Sequence, residues 1–192
     1  MKNVLRFLIG LVVISSLSSC GYNSMVEKRE AVNQAWGGVE SSYQRRADLI
    51  PNLVSTVKGA ANFEQTTLEK VVEARASATQ IKLDPNDLTE ENLAKFQQAQ
   101  NTLSQSLGRL LAVSENYPEL KATQNFQDLQ AQLEGTENRI NKSRNDFNTA
   151  VQDYNAYIAK FPQVMVAKMF GFTPRAYFKS DPGSEKAPEV KF

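Results

Sequence analysis

From Phe126 onward, apolar side chains return every three or four residues, at Leu129, Leu133, Ile140, Phe147, Ala150, Tyr154, Tyr157 and Phe161. Thr136 and Ser143 fill the gaps in this stripe. A repeat of about 3.5 residues sustained for about ten turns describes one long helix with a narrow apolar face, and that face must be buried against other helices. A second stripe with the same spacing runs through Met25, Val32, Trp36, Val39, Tyr43, Ile50, Leu53 and Val57, where Arg29 and Arg46 occupy positions that would otherwise be apolar. Pro51 lies inside this stripe without changing its phase. It removes one backbone hydrogen bond and crowds the preceding turn, so a kink near Arg46 and Ala47 is expected rather than a reversal.

The reversal is expected at Gly59-Ala60-Ala61-Asn62, with Gly59 ending the first helix and Asn62 and Gln65 forming a capping box for the second. The apolar phase resumes at Leu68, Val71, Val72 and Ala78, and the second helix stops before the turn-forming Asp84-Pro85-Asn86-Asp87. Thr89, followed by two glutamates, opens a third helix carrying Leu93, Phe96, Leu103, Leu107 and Leu110, which breaks at Asn116-Tyr117-Pro118. Proline at 162 and glycine at 171 bracket a short, Met- and Phe-rich helix that either caps the bundle or contacts a membrane or partner. The expected fold class is all-α: an antiparallel up-down bundle of four long helices plus a short C-terminal helix.

Ahead of these helices, Lys2 and Arg6 precede an apolar run at 7–14, and Leu17-Ser18-Ser19-Cys20 follows. The run is too short to span a bilayer comfortably and has the layout of an export signal. A branched apolar residue, two small residues and a cysteine form a lipobox, in which the small residues suit the signal peptidase and the thiol accepts a diacylglycerol. The expected organisation is a signal peptide at 1–19, a helical bundle at 20–179 anchored through lipidated Cys20, and a disordered tail at 180–192. Gly21, a non-aspartate residue after the cysteine, favours the outer membrane facing the periplasm if the cell has two membranes.

Several chemistries are excluded by composition. The chain has no histidine and one cysteine, which rules out imidazole catalysis, His-ligated metals, intrachain disulfides and cysteine-based zinc sites. The formal charge of +1 becomes −1 once Lys2 and Arg6 leave with residues 1–19, so no overall positive field exists to attract nucleic acid. No cofactor is expected.

Tyr22-Asn23, Ala35-Trp36 and above all the ten residues at 45–54 (RRADLIPNLV) resemble the LemA family. So do Val57-Lys58-Gly59, Ala74-Arg75-Ala76, the residues at 114–122 and 133–140, and the pairs Phe161-Pro162 and Gly171-Phe172. The resemblance spans about residues 22–178 and implies a membrane-anchored antiparallel helical bundle with no established catalytic activity or cofactor. Two stretches depart from the pattern: a lipobox replaces the usual uncleaved transmembrane helix, and the run at 141–148 differs from a more alanine- and arginine-rich sequence.

The most concentrated polar group is Arg45, Arg46, Asp48 and Asn52. Counting residues from a reversal near Asn62 brings Arg46 level with 133–137, so Arg45 or Arg46 is expected to meet Glu134 or Glu137 in a buried network. Such a network sets helix register; the functional alternative is a carboxylate- or phosphate-binding niche. Glu134 and Glu137 lie side by side on one helix, without the facing geometry of a carboxylate pair in catalysis. The leading functional expectation is a membrane-anchored, non-enzymatic envelope protein that binds or scaffolds an envelope protein partner. The alternatives are an enzyme using carboxylates and a carrier of a small ligand between helices.

Overall fold

A computed structural model describes residues 2–59 and 63–179, with side chains from Gly21 onward. The expectation for Cys20 as lipid acceptor falls on a side chain outside those described, and the tail at 180–192 falls outside the described residues. The chain is all-α: α1 (Lys2–Lys58), α2 (Gln65–Gln80), α3 (Glu90–Ser114), the single turn α4 (Pro118–Lys121), α5 (Gln124–Ala159) and α6 (Gln163–Phe170). Among the described residues no helix is long and apolar enough to cross a membrane.

Every apolar member of the α1 stripe from Met25 to Val57 is buried. Its main partner is α5, and the two run antiparallel. Lys28 lies over the Tyr157 ring, Trp36 meets Phe147 at 5.6 Å between ring centroids, and Ser42 shares a 2.9 Å hydrogen bond with Ser143. The helices α2 and α3 form a hairpin, and its ends are pinned where Phe63 packs against Tyr117 at 4.9 Å.

The helix α1 continues through Pro51 without a break. Proline has no N–H to give the Ala47 carbonyl, and the structure supplies a substitute from another helix. Arg75 Nε donates to Ala47 O at 2.8 Å, so α2 completes a bond that α1 cannot make for itself. Arg75→Leu is therefore expected to cost about 1–2 kcal/mol, and Pro51→Ala should erase most of that cost by restoring the intrahelical donor. Urea unfolding of the two single variants and the double variant measures the coupling.

Two boundaries differ from the sequence reading. α2 begins at Gln65 after Glu64, which makes no side-chain cap. Gln65 is thus the first helical residue rather than a capping-box partner, and its amide bonds Glu69 instead. Asn62 itself lies outside the described residues. Phe63 is turned into the core just before α2 starts. At the other end α5 stops at Ala159, and Phe161 is 81% exposed rather than a member of the buried stripe. Pro162 disfavours helical geometry in the residue before it. Beyond Phe147 the buried positions are Val151, Tyr154 and Ile158, so the face drifts with the true helical period, and Ala150 and Tyr157 sit at its edge.

After α6, Gly171 adopts φ 73°, a left-handed conformation suited to glycine, and the Phe172 N–H closes the helix on Ala167 O at 2.9 Å. Residues 172–179 then run back along α5 as a strap. Asn155 grips Arg175 through both its backbone N–H (2.8 Å) and carbonyl (2.9 Å), and Asn148 does the same to Phe178 at 2.9 and 3.1 Å. Two helical turns of α5 rise about 10 Å, the span that three residues of extended chain cover. Matching those two periods makes one helix a ladder for a non-helical segment.

Candidate functional site

The buried core is in two parts. One gathers Met25, Trp36, Phe96, Phe147, Tyr154 and Phe178 near one end, and the other gathers Ile50, Leu53, Leu103, Leu110, Phe126 and Leu133 near the opposite end. Between them lies a polar layer, because three stripes carry a polar residue at the same level: Arg46 on α1, Gln100 on α3 and Thr136 on α5, all buried.

Arg46 organises this layer. Its Nη1 donates to Ser104 Oγ at 2.7 Å and to Glu137 Oε2 at 3.0 Å. Its Nη2 donates to the Gln100 side-chain oxygen at 2.7 Å and the Gln100 carbonyl at 3.2 Å. The guanidinium also lies over the Tyr43 ring at 5.1 Å, a favourable use of its flat cation. Gln100 passes the chain of bonds on to Ala78 O of α2 at 3.4 Å, so the Arg46–Gln100 pair links four helices. The ion pair is lopsided: the Arg46 side chain is 2% exposed and that of Glu137 is 48% exposed.

The other residues of the sequence-predicted group stand outside the layer. Arg45, Asp48 and Asn52 are exposed, since steps of one, two and six residues around a helix each turn a side chain at least about 100° away from the face that Arg46 occupies. Asp48 accepts from Gln44 at 2.7 Å along its own helix. Glu134 is exposed too and accepts from Gln130 at 3.1 Å. Glu134 and Glu137 therefore serve separate contacts, one along α5 and one across to α1. Gln100 and Ser104 were not anticipated, although the α3 stripe leaves a gap between Phe96 and Leu103 where Gln100 falls.

The layer opens on one side into a groove of about 790 Å³ lined by Tyr43, Arg46, Gln97, Asn101, Glu137 and Arg144, among others. The strap borders it: the Lys179 carbonyl accepts from Gln97 and from Arg144, each at 2.9 Å. Lys179 also reaches Glu90, whose carboxyl that hydrogen bond and the nearby ammonium hold below its ordinary range. Tyr154, buried under the strap, donates to Thr173 O at 3.0 Å, and burial pushes its phenol up, keeping it a neutral donor. Among the described residues no three His, Cys, Asp or Glu side chains gather to hold a metal.

These features lie within the segment that comparison with known families picks out, since the LemA family profile matches residues 35–192. The chain belongs to the LemA family. Magnetosome proteins MamQ 2 and MamQ 1 of Paramagnetospirillum magneticum are each 28% identical to it over 91% of this chain and 74% of their own length. MamQ of Magnetospirillum gryphiswaldense is 25% identical over 92% of this chain and 71% of its own. Protein LemA of Metamycoplasma hominis is 21% identical over 82% and 68%. None of these names states a reaction. The LemA-family match begins one residue before Trp36 and takes in the polar layer, the groove and the strap.

Proposed function

We propose that this LemA-family protein is a membrane-anchored, non-enzymatic component of the cell envelope that binds or scaffolds a partner protein. In this reading Cys20 carries the lipid anchor, and in a cell with two membranes the bundle faces the periplasm from the outer membrane. The observation that carries the reading is the shortness of the path from anchor to core. Only Gly21, Asn23, Ser24 and Tyr22 separate Cys20 from Met25, which is fully buried, and all of them are part of α1. A lipid on Cys20 would therefore hold the bundle at a set orientation, which favours presentation of a surface over free diffusion. The α3/α5 groove, polar and open, is the surface proposed for the partner.

Cys20→Ser is expected to shift the protein out of the membrane fraction or leave it unprocessed; unchanged retention of a processed chain would refute lipid anchoring. Photo-crosslinking from Gln98 and Gln105 in intact membranes, read by mass spectrometry, tests the second half. A reproducible neighbour at native expression is expected, and recovery of none counts against scaffolding.

A further inference from the structure

The largest exposed apolar side chains are concentrated at one end of the molecule. Phe161 is 81% exposed, Met165 64%, Met169 69% and Phe170 54%, and all four belong to α6 or the two residues before it. This end is also where α1 enters the bundle: Tyr22 packs edge-on against Phe170 at 5.0 Å and against Phe172 at 5.6 Å. Tyr22 is two residues from Cys20 and eight from the end of the apolar run at 7–14, or about 12 Å along a helix.

Charge singles out the same region. Between Asp153 and Asp181 the sequence has no acidic residue, and Lys160 and Lys168 are the cations of α6 and its approach, whereas Lys179, farther along the strap, is paired with Glu90. Lys160 and Lys168 are exposed and flank the Phe161–Met165–Met169 side chains. Flexible Met and aromatic side chains beside lysines are the composition of a surface that enters the acyl boundary while its cations meet anionic headgroups.

We infer that α6 and Phe161 form a membrane-contacting face that inserts Phe161, Met165, Met169 and Phe170 into the interface of an anionic bilayer, tilting the bundle against the membrane that holds it. The inference rests on anchoring near residue 20, whether by lipid or by a retained helix, because either places α6 at the membrane surface. A second copy of the chain is a poorer occupant. A two-fold interface brings identical patches together, and here that would set Lys160 and Lys168 near their own copies.

The test uses the full chain, reconstituted by detergent removal into vesicles of phosphatidylethanolamine and phosphatidylglycerol at about 3:1, with a photo-crosslinking residue at Met165, Met169 or Val72. Val72 is 50% exposed on α2 and serves as the control. After flotation, lipid adducts are expected at Met165 and Met169 and not at Val72. Replacing the phosphatidylglycerol with phosphatidylcholine, or introducing Lys160→Gln with Lys168→Gln, should lower the adduct yield at least about three-fold. Chain that floats but yields no lipid adducts at Met165 and Met169, or only adducts to protein, overturns the inference and leaves anchoring standing. Chain that does not float overturns both. All the substituted positions are exposed, so the folded bundle is retained in each variant.

Discussion

Replacing Arg46 with alanine is expected to lower the stability of the bundle by about 3–5 kcal/mol, the cost of the cavity left by a long buried side chain and of the buried acceptors it leaves unpaired. The change removes four hydrogen bonds at once and leaves Gln100 at the centre of the bundle without its best donor. Removing the partner instead gives a different result for a physical reason. Glu137 is half in solvent, so Glu137→Gln keeps a hydrogen-bond acceptor and leaves Arg46 buried with only neutral oxygens around it; about 2–3 kcal/mol is expected. Arg46→Met together with Gln100→Leu should be far milder than Arg46→Ala, within about 1 kcal/mol of the parent, because apolar replacement of a buried polar pair is often neutral. Chemical denaturation followed by circular dichroism separates the three. If Arg46→Ala lost under 1 kcal/mol, the layer would not be a constraint on the fold.

The apolar double variant also tests what the layer is for. Two apolar clusters joined into one continuous core would permit the α2–α3 hairpin to slide by a turn, since leucines follow one another at similar spacing along α3. The layer forbids that slide because Arg46 can meet Gln100, Ser104 and Glu137 in one alignment only. Register is the attested role of such groups.

How much of this was visible in the residues follows from which forces act locally. The α1 face was legible side chain by side chain because burial of a heptad stripe depends on spacing alone. Thr89 as the α3 cap was legible for the same reason: its hydroxyl accepts from the Asn92 N–H three residues on. Arg46 announced itself as a charge within an apolar stripe, while its partners on α3 did not, because their identity depends on how the hairpin docks. The strap was not legible at all. Asn148 and Asn155 read as ordinary polar positions on a helix, and only the return of residues 172–179 along α5 gives their amides a backbone to hold. Phe161 was misplaced because the spacing rule extends a stripe past the point where Pro162 ends the helix.

Trp36→Ala is expected to be comparably severe, about 3–5 kcal/mol, and to reveal how the strap depends on the core. The indole is fully buried and touches three elements: Phe96 of α3 at 5.4 Å, Phe147 of α5 at 5.6 Å and, nearly parallel, Phe178 of the strap at 6.1 Å. Its Nε1–H has no hydrogen-bond partner among the described residues. That orphan lets the two contributions be separated. Trp36→Phe gives up part of the ring volume but also removes an unpaired buried donor, a penalty of about 1–3 kcal/mol, so it should cost well under half as much as alanine. Trp36→Ala should also loosen the strap, because Phe178 loses the surface it stacks on, and hydrogen exchange at the Phe178 amide should speed up beyond the global loss. Asn148→Ala makes the converse cut: it frees the same amide from its acceptor while the core stays packed. Faster exchange confined to the strap, with little change in the unfolding midpoint, is the expected result for that variant. A fall in global stability as large as that of Trp36→Ala would mean that strap and core are one cooperative unit.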